Sequence, residues 1–263
     1  MPAPIASSLP IDPKVVSAAV NANNEAPYTG DTGTIGGTIT ISGDTAPDMP
    51  EISASIPADC ASAKEMYGKL FREGPGRGLA DVVVGVTGYK GYLPEESPAQ
   101  IADASGCAWN SRTYMLTFGQ SLDVRSRDSR PYVPDLMGAH LKAQLVAVPH
   151  GAAIHLYPER PGRYQLTDSM RLFMLAEVIV VKFSTHAVSG LDGHYVIPHV
   201  PVGKVKVSAL LPATMAQVEK EVEVHAGELV DVPLVVNFDR KAWDESRAPS
   251  RPSTAPTPSS SAH

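Results

Sequence analysis

Gly162-Arg-Tyr-Gln-Leu-Thr-Asp168-Ser-Met-Arg171-Leu-Phe173-Met174-Leu-Ala176-Glu-Val-Ile-Val-Val181 is the stretch on which the reading of this chain turns. Its second half, Leu172 to Val181, is the longest apolar run of the sequence. It covers ten residues and includes Glu177. A helix that crosses a bilayer needs about 20 apolar residues, so no transmembrane segment is expected. Val178 to Phe183 reads instead as a strand leaving a loop.

The rest of the chain has the same character. Pro (24) and Gly (21) are abundant, amphipathic helical runs are scarce, and Val often alternates with polar residues. Many short strands joined by turns imply an all-β fold of the sandwich or barrel kind. Gly36-Gly37-Thr-Ile39-Thr-Ile41-Ser-Gly43 alternates as a half-buried strand, and Ile52, Ala54 and Ile56 continue with period two. Three adjacent valines, Val82, Val83 and Val84, predict a central strand buried on both faces. Tyr114, Leu116 and Phe118, then Gly119-Gln120, then Leu122 and Val124 predict a hairpin-like pair; Leu141 to Val148 and Ile154 to Tyr157 are further strand candidates.

The net charge is −6 and no Lys/Arg block marks a nucleic-acid surface, so no nucleic-acid partner is expected. Catalytic signatures fail as well. There is no H-E-x-x-H, no C-x-x-C and no Gly-x-Ser-x-Gly. Gly74-Pro-Gly76-Arg-Gly78 precedes a strand, whereas a dinucleotide fingerprint follows one and opens a helix. The chain is therefore read as a non-enzyme.

Two strings carry resemblances. The opening stretch is similar to the last ligand loop of bacterial cupredoxin-like (methylamine-utilisation or plastocyanin-like) proteins, which read G-x5-C-x2-H-P-W-M-x-A before a valine-rich strand. Met174 and Ala176 match, and Phe173 replaces the Trp. Asp168 stands at the Cys position and Arg171 at the His position. The first His of that family sits in V-R-N-x-D-x3-H-N; Val124, Arg125 and Asp128 match here, and Tyr132 replaces the His. The resemblance thus implies a cupredoxin-like sandwich with three degenerate ligand positions, Tyr132, Asp168 and Arg171, and no resident cofactor. Met174 reads as core. Asp168 and Arg171 either pair with each other or stand solvated at a loop rim.

The second string is Asp192-Gly193-His-Tyr195-Val-Ile197-Pro-His-Val200-Pro-Val-Gly203-Lys-Val205-Lys-Val207. It resembles carboxypeptidase regulatory-like, transthyretin-type modules. Asp192-Gly193 supplies a tight turn, and alternating apolar residues flank it. Together the resemblances divide the chain into a flexible arm (1–34), a cupredoxin-like sandwich (35–183), a carboxypeptidase regulatory-like sandwich (184–240) and a Pro/Ser-rich tail (241–263). The copper family carries a Cys on each side of the strand that reads here Asp81 to Val86, which implies a Cys60–Cys107 disulfide. The alternative is two buried thiols.

The first residues, Met1 to Ser8, have no basic start and no apolar core of a signal peptide, which taken alone reads as cytoplasmic. The implied disulfide and the Pro/Ser tail point instead to a periplasmic or extracellular chain whose signal peptide is not part of this sequence. The leading expectation is an exported binding or structural protein whose partners are other envelope proteins, an accessory subunit of an envelope or electron-transfer assembly. The alternative is a copper protein for electron transfer or storage with a rearranged site, for which His140, His150 and His155, with Met174, are the candidates. His150 and His155 are five apart, which on a continuous strand puts them on opposite faces.

Overall fold

The computed structural model describes residues 9–139 and 145–247. In chain order the elements begin with α1 (Pro13–Val20), β1 (Thr32–Gly43), α2 (Pro50–Ser55), α3 (Ala61–Tyr67), β2 (Val83–Thr87), β3 (Ala99–Ser105) and β4 (Ala108–Trp109). There follow β5 (Thr113–Thr117), β6 (Ser121–Ser126), β7 (Pro134–Met137), β8 (Ile154–Leu156), β9 (Gly162–Asp168) and β10 (Arg171–Val181). The remainder is β11 (His186–Val188), β12 (His194–Pro201), β13 (Gly203–Leu211), β14 (Ala216–Val224), β15 (Leu229–Asp231), β16 (Leu234–Phe238) and α4 (Arg240–Arg247).

Among the described residues the strands form four sheets of four strands each, around two separate apolar cores. The fold is all-β, in two sandwiches. In the first, a sheet of order β4-β3-β6-β8 faces one of order β5-β10-β9-β7. Consecutive β5 and β6 are not a hairpin. β5 runs parallel to β10 and β6 runs parallel to β3 in the opposite sheet. Gly119 (φ 108°) and Gln120 carry the chain across the core between them. The Gln120 amide takes the Thr117 N–H and donates to the Ser97 carbonyl, which satisfies the backbone at this crossing. Tyr114, Leu116, Leu122 and Val124 all enter the same core from its two sides, so an alternation that suits a hairpin suits this arrangement equally.

The second sandwich does not begin at residue 184. β1 pairs antiparallel with β12 and parallel with β15 and β16, and β2 lies between β11 and β13. Ile35, Ile39 and Ile41 of β1 and Val82, Val84 and Val86 around β2 are buried against Tyr195, Ile197, Val205 and Val207. The ladder therefore moves residues 35–43 and 83–87 out of the first sandwich, where the 35–183 division puts them, into the second. Gly37 allows this pairing: a Cβ there would collide with the Val232 carbonyl oxygen.

The first sandwich is thus an insertion. The chain leaves the second sandwich at Thr87 and returns at His186, and β2 and β11 are paired neighbours (Gly85 opposite His186). A smaller excursion carries α2 and α3. It is closed at its base where Met49 N–H meets the Gly68 carbonyl and Leu70 N–H meets the Pro47 carbonyl. The excursion packs Ile56, Cys60, Ala63 and Tyr67 into the first core. Residues 50–55 are helical rather than extended because Pro50 sets the first turn, and Ile52 and Ile56 then lie one turn apart against that core. The Cys60–Cys107 disulfide staples the excursion to the inserted sandwich, 47 residues apart in sequence. Closing a loop of that length is worth about 4 kcal/mol on chain-entropy grounds.

The described parts of the two ends, residues 9–34 and 241–247, are not wholly the loose arm and tail expected of them. Asp12 caps α1 by accepting the Lys14 N–H, with Pro13 in the first turn, and Ile11, Val16 and Val20 rest on the first core. Residues 32–34 already belong to β1. α4 occupies 240–247, and its Trp243 packs on Phe238 with ring centroids 6.3 Å apart. Residues 1–8 of the arm and 248–263 of the tail lie outside the described residues. So does half of the candidate strand at 141–148, residues 141–144; in the described half Ala147 makes a bridge to Tyr132.

Candidate functional site

The four positions singled out by the ligand-loop reading meet at one end of the first sandwich. Asp168 ends β9, Ser169 and Met170 turn, and Arg171 opens β10. β7 runs alongside with Pro134 opposite Asp168, which brings the preceding Tyr132-Val133 to the same place. Asp168 is fully buried. Its Oδ2 accepts the Val133 N–H at 2.7 Å and its Oδ1 accepts the Met170 N–H at 3.0 Å. The Arg171 guanidinium lies 3.5 Å from Oδ1, donates to the Pro131 carbonyl at 3.1 Å and stacks 4.8 Å above the Tyr132 ring. So Asp168 and Arg171 are not a solvated rim pair. Met174 is fully buried in the apolar core beneath them.

Tyr132 is fully buried too. Its hydroxyl donates to Asp128 Oδ2 at 2.9 Å and accepts the Cys107 N–H at 3.2 Å, which ties this end to the disulfide. Burial is the main cause that pushes the phenol up to about 12; the Cys107 N–H opposes it and Asp128 adds to it. Burial also pushes the Asp128 carboxyl up, but the N–H groups of Arg130 and Gly106 and the Tyr132 hydroxyl outweigh it and hold Asp128 below its ordinary value.

A type 1 copper ion asks for a thiolate, two imidazoles and a weak axial thioether. Of these only the thioether type is present at the four positions, and Met174 is enclosed by core side chains. A guanidinium cannot become a ligand by losing a proton. The Asp168 carboxylate is already spent on two N–H groups and a cation. Copper therefore does not fit this set.

Two of the three histidine candidates are described. His140 lies outside the described residues. His150 sits in a turn with φ 53°, its N–H on the Ser126 carbonyl. His155, on β8, places Nδ1 2.7 Å from Asp123 Oδ1 across the ladder to β6. Among the described residues no group of three or more His, Cys, Asp and Glu is disposed to hold a metal ion.

Two polar clusters escaped the sequence reading. At the junction of the sandwiches, Asp81 accepts both Arg72 Nε and Nη2 at 2.7 Å, the Arg112 N–H at 2.9 Å and the Ser111 hydroxyl at 3.2 Å. Burial alone would lower the Arg72 pKa; the bond to Asp81 outweighs it and raises it. The signal for this cluster was there: a carboxylate heading a fully buried valine strand must have a partner. At the neck of the insertion, Thr117 Oγ1 lies 2.6 Å from Glu95 Oε2 and 3.0 Å from His186 Nε2. The hydroxyl has one proton and Glu95 is the shorter contact, so His186 Nε2–H donates to Thr117. Burial pushes the imidazole below its ordinary value, and Glu95 opposes the shift only in part.

No protein-family model matches this chain. No curated protein matches it either. Among solved structures it is similar to amicyanin from Paracoccus versutus (Thiobacillus versutus), at 13% identity and a TM-score of 0.29, over 34% of this chain and 85% of that one. It is also similar to an amicyanin variant in the reduced state, at 19% identity and a TM-score of 0.28, over 37% of this chain and 99% of that one. A Cu(I) form of another amicyanin variant gives 18% identity and a TM-score of 0.29, over 32% of this chain and 84% of that one.

Proposed function

We propose that this chain is a non-enzymatic, exported binding protein, an accessory subunit of an envelope or electron-transfer assembly, in which a sandwich of the copper-protein kind serves as scaffold. The observation that carries the reading is the buried Asp168. It occupies the position where the resemblance calls for a thiolate, and its oxygens hold the Val133 and Met170 backbone together instead. Beside it, Met170 in the turn between β9 and β10 and Leu172 at the start of β10 stand 65% and 78% exposed, which suits docking of a partner at the same end. The disulfide suits an oxidising compartment, and among the described residues no helix is long and apolar enough to cross a membrane. The second sandwich, similar in its 192–207 string to transthyretin-type modules, is the frame that holds the first by both its ends.

The test is a calorimetric titration of the purified chain with Cu(II) and Zn(II), with the absorption spectrum of the copper-treated protein. The expected result is no binding tighter than about micromolar and no visible thiolate-to-copper band. Tight stoichiometric copper would overturn the scaffold reading and hand the lead to electron transfer.

A further inference from the structure

β10 separates two ends of the first sandwich. Arg171 opens it in the closed network described above, and Lys182 follows it at the other end, eleven strand residues away. At about 3.3 Å per residue the two ends are roughly 35 Å apart. At the Lys182 end a cavity of about 490 Å3 lies between α1, the 92–98 segment and the turn at Phe118-Gly119. That is the size of an ordinary small-molecule site. One wall is apolar and comes from the N-terminal arm through Ile11, Val16 and Val20; Phe118 and Leu93 face it from the sandwich.

The charged side chains that line the cavity are Glu95, Glu96 and Lys182, two carboxylates against one ammonium. Glu95 is fixed in place. Its Oε1 accepts the Ser97 N–H at 3.1 Å and its Oε2 the Thr117 hydroxyl at 2.6 Å. A carboxylate has about four acceptor positions, so it keeps capacity for a further donor. The nearby His186, with Nε2 4.0 Å from Glu95 Oε2, is neutral at neutral pH because burial lowers its pKa. It therefore does not cancel the Glu95 charge.

We propose that this cavity binds a small organic cation with an apolar body: the cationic head on Glu95 and Glu96, the body between Val16 and Val20 of α1 and Phe118. The site is separate from the degenerate ligand positions, and it gives the arm a role as a binding wall.

The experiment titrates the full chain at neutral pH with three ligands that share one body and differ in charge: phenethylammonium, 2-phenylethanol and phenylacetate. Phenethylammonium should bind, with the alcohol about tenfold weaker and phenylacetate weakest, since a charge-assisted hydrogen bond contributes about that factor or more. Glu95→Gln should bring the cation down to the affinity of the alcohol and leave the alcohol unchanged. Because Glu95 also holds Ser97 and Thr117, Glu96→Gln, at an exposed position, is the second variant and should weaken the cation alone by a few-fold. Equal affinity for all three ligands, no heat with the cation, or a cation affinity untouched by both variants would each overturn the proposal.

Discussion

Asp81, where the two sandwiches meet, faces the full charge of the Arg72 guanidinium through two contacts of 2.7 Å; Asp168, at the closed end of the first sandwich, faces mainly the N–H groups of Val133 and Met170. Both carboxylates are buried. Their partners differ in reach as well as in charge. Asp81 gathers Arg72 from the strand entry, Ser111 and Arg112 from the inserted sandwich and, through its own N–H, the Ser189 carbonyl from the second sandwich. Asp168 gathers only residues of its own sandwich. The difference teaches where each is used: one carboxylate fixes two bodies to each other, the other closes a single loop end.

The comparison breaks first at Asp81. Asp81→Ala leaves Arg72, whose side chain is 18% exposed, without its counter-charge, and should cost about 3–5 kcal/mol in chemical denaturation. Asp81→Asn sharpens the test. It keeps one acceptor oxygen at a position with φ 65°, which Asn tolerates, and removes the charge and the second acceptor. A loss below about 1 kcal/mol for both variants would mean that Arg72 finds water or another acceptor, and the junction would not depend on this pair.

Asp168→Ala should cost less, about 2–3 kcal/mol, by leaving the N–H groups of Val133 and Met170 unpaired. Asp168→Asn should recover part of that, because an amide oxygen still accepts. A larger loss at Asp168 than at Asp81 would reverse the ranking and sink the contrast between charge pairing and backbone pairing. Tyr132→Phe comes next, at about 1 kcal/mol, since it removes the bond to Asp128 and leaves the Cys107 N–H without its acceptor. The Asp128 carboxyl should then titrate at higher pH, which carboxyl-resolved NMR reads directly.

Asp168 and Tyr132 were legible in the sequence because they occupy fixed places in strings whose other members, Val124, Arg125, Met174 and Ala176, are present. For Asp81 only the need of a partner was legible; the partners themselves were not, because they are 9, 30 and 31 residues away and arrive by a route that the strand pattern does not encode. Alternation tells which face of a strand is buried, but not against which sheet. Ile35, Ile39 and Ile41 therefore read equally well as the opening of the first sandwich or as the centre of the second, and only the ladder to β12, β15 and β16 decides. The short helix α2 was missed for a related reason: Ile52, Ala54 and Ile56 satisfy period two and one helical turn alike.

The smallest effect concerns His186, at the neck through which the chain leaves the inserted sandwich. Facing it are Thr117 and Glu95, with the Phe183 ring 6.5 Å away. Burial lowers its pKa below the ordinary 6.5, so as pH falls the unfolded chain takes up its proton before the folded one. The unfolded state then binds more protons, and stability must fall with pH. The contribution is complete above 6.5 and is lost as pH drops through the folded pKa. The carboxylates elsewhere act alike in wild type and in His186→Gln, which keeps a donor for Thr117, so the difference between the two isolates this residue. Wild type should lose more stability than the variant between neutral pH and about pH 5. A difference that stays flat across that window would mean that Glu95 compensates the proton fully, and that the neck is indifferent to the charge of its histidine.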